Sequence, residues 1–166
     1  MAQAGNIYAV SSQSRTDFTG TLAQNAGASW RPALPAALGG RSIVRGIVIT
    51  SVQNLDWEVF VYKTSNANSI PPGGTIDNIH LAGKYRFFAA DGVQIAATGS
   101  YLYYIDGLTI AYHDLDSVNA QLQPGSQLLP LTPYLNVVLV NRSATGKNAN
   151  DAGAVVLRLF MEATNG

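Results

Sequence analysis

YLNVVLVNRSATGKNANDAGAVVLRLFMEA, from Tyr134 to Ala163, holds two strongly apolar runs around a polar gap of small residues. Side chains on a strand alternate between its faces. In the second run Val155, Leu157, Leu159 and Met161 form one wholly apolar face. The opposite face reads Ala154, Val156, Arg158, Phe160, Glu162, a half-buried pattern with two large apolar groups added. The first run behaves alike, with Leu135, Val137 and Leu139 on one side and Tyr134, Val138 and Val140 on the other. Asn141 to Gly153 is rich in Asn, Ser, Thr, Gly and Asp and predicts a long hairpin loop. Strands apolar on both sides are covered on both sides. The outer flank must therefore meet another part of this chain or another chain. The expected subunit interface comprises Val156, Phe160, Val138, Val140 and Trp30.

Outward from this pair the chain keeps the same style. RSIVRGIVITSVQ predicts a long strand with Ile43, Ile47 and Ile49 on one face. WEVFVYKTS puts Trp57, Val59 and Val61 on one face and Phe60 and Tyr62 on the other. KYRFFAA is a strand, and Asp91-Gly92 signals a hairpin into VQIAAT. YLYYIDGLTIAYHDL is one long bent strand or two, broken near Asp106-Gly107. No segment sustains a helical period. About eight β runs joined by Gly, Pro and Asn turns point to an all-β fold, an antiparallel two-sheet sandwich. A single jelly roll fits the length best. Residues 1–40 are polar and small and read as an N-terminal arm or edge segment, with short strands near Ile7 to Val10 and Phe18 to Leu22. Residues 41–166 form the sandwich domain.

Composition narrows the function. The chain has 166 residues, 47% hydrophobic, enough for one domain with a real core. Charged residues make up 12%, against a usual ~25%. Ten basic residues balance ten acidic ones, so nucleic acid is not the expected main partner. The same balance leaves little repulsion between copies. There is no cysteine, hence no disulfide and no thiolate metal site. No transmembrane run and no signal peptide is read, which predicts synthesis in the cytoplasm.

Candidate chemistry is sparse. His113 stands beside Asp114 and Asp116, a spacing that suits a hard or mixed metal ion, and equally a polar turn at a strand end. His80 has no acid nearer than Asp77 and reads as structural or exposed. No nucleophile elbow supports a Ser/His/Asp triad. Ala144 to Asn148, ATGKN, lacks the leading Gly and following Ser or Thr of a phosphate loop. Asn141-Arg142-Ser143 is a formal glycosylation sequon of little weight without a secretory route. Tyr101, Tyr103 and Tyr104, with Trp30, Trp57 and Tyr134, either fill the core and interface rims or offer a sugar platform. No cofactor is expected, and the chain reads as a non-enzyme.

The body, Arg41 to Ala163, resembles the single jelly-roll capsid proteins of icosahedral viruses. It is similar above all to the small ones from tailless, membrane-containing phages. The features that carry this are the polar segment Ala2 to Gly27, the long β runs with Pro/Gly loops, the neutral composition and the terminal pair YLNVVLV…AVVLRLFME. The resemblance implies two four-stranded sheets, a virion location, and assembly with its own copies and other capsid proteins. The competing expectation is a carbohydrate-binding sandwich or a receptor-binding adhesin. A cupin-like enzyme ranks below both, because such sites gather several histidines and this chain has two.

Overall fold

The computed structural model describes residues 6–35, 38, 41–62, 81–97, 99–113 and 135–164. Its strands are β1 (Ile7–Ser11), β2 (Gly27–Trp30), β3 (Arg41–Ser51), β4 (Trp57–Tyr62), β5 (Leu81–Phe87), β6 (Val93–Gln94), β7 (Tyr101–Ile105), β8 (Ile110–His113), β9 (Asn136–Asn141) and β10 (Val156–Ala163). One sheet has six strands in the order β1-β10-β3-β7-β6, with β8 pairing β3 beyond the end of β7. The other has four, in the order β2-β9-β4-β5. All these pairings are antiparallel.

The order encodes a rolled ribbon. Outermost in sequence, β1 pairs β10; then β2 pairs β9, β3 pairs β7 and β8, and β4 pairs β5. Folding that ribbon over itself adds β10 to β3 and β9 to β4 and splits it into two sheets. This is the double Greek key of a jelly roll. It also corrects two hairpins read from the sequence. β9 and β10 lie in different sheets, so the segment between them is a crossing and not a hairpin loop. β5 and β6 also lie in different sheets. There a 3-10 turn, Ala89–Asp91, carries the chain across, with the Asp91 carboxylate accepting from the Phe88 N–H at 2.7 Å.

The crossing is built by two antiparallel segments. The β1–β2 connection runs against the β9–β10 connection and is bonded to it along its length. Arg15 N–H donates to the Gly153 carbonyl, Ala152 N–H to Gly20, and Leu22 and Ala149 exchange both bonds. Asn25 N–H donates to Asn141, and Asn141 N–H to Ala26. The amide of Asn141, fully buried, donates to the carbonyls of Leu22 at 3.0 Å and Lys147 at 2.9 Å. Its oxygen accepts from Ser143 N–H at 3.0 Å. Residues 6–35 are thus an edge segment with one strand in each sheet, not a free arm. Phe18 to Leu22 is no strand; β2 comes later, and Phe18 and Leu22 are core residues.

Between the sheets lies one apolar core. Ile47, Ile49, Leu157, Leu159 and Met161 from the six-stranded sheet meet Trp57, Val59, Val61, Val137 and Leu139 from the other. Each is almost wholly hidden from solvent. Parity along β3 predicts Ile43 on that face too, but the structure turns it outward. Phe160 pairs Gly46 and Met161 pairs Val44, so Arg45 is an extra residue in β3. That bulge shifts the alternation by one, and Val44 replaces Ile43 in the core. β7 ends and β8 begins opposite the same point, where Leu108 N–H donates to the Arg45 carbonyl at 2.9 Å.

Tyr103 closes one end of the core. Its ring packs edge-on to Phe87 of the facing sheet, centroids 6.1 Å apart. Its hydroxyl donates to Asn54 Oδ1 at 2.8 Å and accepts from Leu55 N–H at 2.9 Å. Burial pushes the phenol from 10.0 up to about 12. Below pH 10 both folded and unfolded chains keep this proton, so it leaves stability unchanged. Between 10 and about 12 the unfolded chain loses it first, and stability falls as pH rises. The loss from this group should reach roughly 2 kcal/mol. Urea titrations at pH 8 to 12 should show that fall, and Tyr103→Phe should flatten it.

Candidate functional site

The two sheets treat their outer faces differently. On the four-stranded sheet the outer residues Phe60, Tyr62, Val138 and Val140 form a second apolar cluster, none more than 6% exposed. Lys84 and Arg142 lie over the Phe60 ring at 5.6 and 5.8 Å. The buried Glu58 carboxylate holds both cations, accepting from Arg142 Nε at 2.6 Å and pairing with Lys84 Nζ at 3.3 Å. Two cations share one carboxylate with the ring beneath, so each has an ionic partner inside the chain.

This closure corrects three interface expectations. Val138 and Val140 are covered within the chain, at 6% and 3% exposure. Trp30 is a core residue, 4% exposed, with its ring 6.5 Å from that of Phe18. Strand parity identifies a second apolar flank but cannot say which flank the chain itself covers.

Val156 and Phe160 are different. They lie on the outer face of the six-stranded sheet and stay half exposed. The register lays that face out in rows. Ala9, Phe160 and Gly46 form one row; Ser11, Arg158, Val48 and Tyr104 the next; Val156, Thr50, Leu102 and Val93 the third. Ile7, Tyr104 and Val93 are 62%, 57% and 62% exposed. Among the described residues no strand or turn packs across these rows.

A groove of about 490 Å³ opens on this face between Ile7, Phe160 and Tyr104. Its floor is Gly46, where a side-chain carbon would come within 3.0 Å of the Ile105 carbonyl. The bulge and this glycine together create the hollow. Its polar rim is internally matched on one side, where Arg45 Nε donates to Glu162 Oε2. On the other, the Tyr104 hydroxyl donates to Asp106 at 2.6 Å, which raises the phenol's pKa above the ordinary tyrosine range because the bond favours the neutral form. Two charges on the face have no ionic partner among the described residues. There Arg158 on β10 bonds the Ser11 hydroxyl, and Asp106 beyond β7 accepts from the Tyr104 hydroxyl.

The metal candidate falls outside this picture. His113 ends β8, and Asp114 and Asp116 lie outside the described residues, as does His80. Among the described residues no three His, Asp or Glu side chains gather as a metal would require. No described helix is long and apolar enough to cross a membrane.

No protein-family model matches this chain, and no curated protein matches it in sequence.

Proposed function

We propose that this chain is a virion structural protein, a shell subunit or shell-decorating protein, that packs against its own copies. The observation that carries the reading is the asymmetry between the two outer sheet faces. One is buried within the chain, with Lys84 and Arg142 held over Phe60 by Glu58; the other keeps Ile7, Tyr104 and Val93 open beside Phe160 and Val156. An open apolar sheet face marks an interaction surface. The jelly-roll topology is one that shells use, because it gives a rigid block with defined sides.

A second copy suits this face by charge as well as by hydrophobicity. A two-fold axis running along β3 lays β10 of one copy over β7 of the other. Arg158 pairs across its own sheet, through Val48, with Tyr104, and Asp106 follows two residues on, roughly 7 Å along the strand. A guanidinium spans that distance, so Arg158 of each copy meets Asp106 of the other. The neutral chain adds no repulsion to the contact.

Sedimentation velocity over a concentration series tests this, with electron microscopy of the concentrated sample. The expected result is a shift from monomer to dimer and larger capsomers. Arg158→Asp and Asp106→Arg should each weaken association by about tenfold, and the double reversal should restore most of it. A chain that stays monomeric at millimolar concentration would remove the proposal.

A further inference from the structure

We propose that the pocket at the loop end of the sandwich binds a saccharide bearing a carboxylate, such as a hexuronate or a sialate. The site is separate from the assembly face and does not depend on it.

The pocket measures about 430 Å³, within the ~300–1,000 Å³ typical of small-ligand sites. Three connections frame it: β3 to β4, β6 to β7, and β9 to β10. Its walls carry Gln53, Asn54, Tyr101, Lys147, Asn148 and Asn150. Side-chain amides both donate and accept, which is what vicinal sugar hydroxyls need. Tyr101, half-buried against the core, also lines the pocket, and its exposed part gives an apolar edge for a pyranose ring.

The frame is held before any ligand arrives. Gln53 bridges two of the loops, its Oε1 accepting from Asn150 N–H at 2.8 Å and its Nε2 donating to the Asn148 carbonyl at 3.4 Å. The Tyr103 hydroxyl, bonded to Asn54 Oδ1 and Leu55 N–H, fixes the first loop from below. Gly92 permits that arrangement, since a side-chain carbon there would lie 2.9 Å from both Asn54 Oδ1 and the Tyr103 ring. Asn54 Oδ1 is thereby used, so its NH₂ is left to donate to a ligand. Neither the Asn148 nor the Asn150 side chain is engaged in a hydrogen bond among the described residues.

Charge decides the class of sugar. Lys147 is the one charged residue among those lining the pocket, it is exposed, and it takes part in no ion pair among the described residues. A pocket of amides, one phenol ring and one ammonium matches a polyol with a single negative charge better than a neutral one.

The test is saturation-transfer NMR on the full chain with glucuronate, N-acetylneuraminate, glucose and acetate, each at millimolar concentration. At least one acidic sugar should give transfer and bind several-fold more tightly than glucose. Lys147→Gln should remove that preference, and Asn148→Trp should fill the pocket and abolish transfer. Both positions are exposed, so both variants should melt like the parent. Phe160→Glu should leave binding intact, which separates this site from the assembly face. Absence of transfer from both acidic sugars would overturn the proposal. So would acetate competing as well as glucuronate, or transfer unchanged in both pocket variants.

Discussion

Phe160→Glu is expected to abolish self-association while leaving the fold intact. Phe160 sits at the centre of the open face, beside the Gly46 hollow and next to Ala9. Burying one Phe contributes roughly 1.5–3 kcal/mol. Phe160 is already half-buried in the monomer, so about a third of that remains to be gained; the residue appears twice in a two-fold interface, and losing it removes about 1–2 kcal/mol, roughly one decade in dissociation constant. The carboxylates add a desolvation penalty to each contact. Within the monomer the change is mild, because the side chain is half exposed and adjoins solvent. The expected sedimentation profile is a monomer at every concentration where the parent associates, with an unchanged urea midpoint. Phe160→Leu, which keeps most of the apolar area, should retain association. If Phe160→Glu associates like the parent, this face is not the contact.

Asn141→Leu should damage stability severely. The residue is 0% exposed and ties together three elements. Its amide satisfies the Leu22 and Lys147 carbonyls and the Ser143 N–H. Leucine leaves the Lys147 carbonyl and the Ser143 N–H without that partner, at about 1–3 kcal/mol each where water cannot reach them, and leaves the Leu22 carbonyl with only its bond from the Ala149 N–H. A loss of about 4 kcal/mol is expected, a large share of the ~5–15 kcal/mol that holds an ordinary domain together. The crossing would loosen first, since the β1–β2 connection hangs on the same bonds. Urea denaturation reads the total loss. Amide exchange should show Leu22 and Ala149, which exchange backbone bonds, losing protection before the core strands. An unchanged urea midpoint would mean that water replaces the amide.

The inner faces were legible because a regular strand alternates. Leu157, Leu159 and Met161, then Trp57, Val59 and Val61, then Val137 and Leu139, all fall in the core where parity places them. The alternation of Tyr103 and Tyr104 holds as well, one fully buried and the other open. Ile43 escaped, because the extra residue at Arg45 depends on where β7 stops and β8 starts, a matter of partners far off in sequence. The two mistaken hairpins share one cause. Turn residues show that a chain bends, but they do not show whether it returns to the same sheet. Asn141 carried no readable signal of its buried role, since its partner at Leu22 lies far off in sequence and meets it only when the crossing forms. The loop-end pocket was invisible for the same reason, its walls coming from three connections.

By itself, then, the order of residues determined the class of fold, the faces of its regular strands, and the presence of two apolar flanks too greasy for water. Those are local properties, set by side-chain alternation and by composition. Which flank is closed was decided only in three dimensions. Lys84, Arg142 and Glu58 come from three different strands or their ends and converge over Phe60 because β4 lies between β5 and β9. On the other sheet Arg45 and Glu162 pair with each other at the rim and leave Phe160 uncovered. Ion pairs that cap a ring on a sheet face need partners brought together by strand order, and strand order is a property of the rolled ribbon rather than of any one stretch.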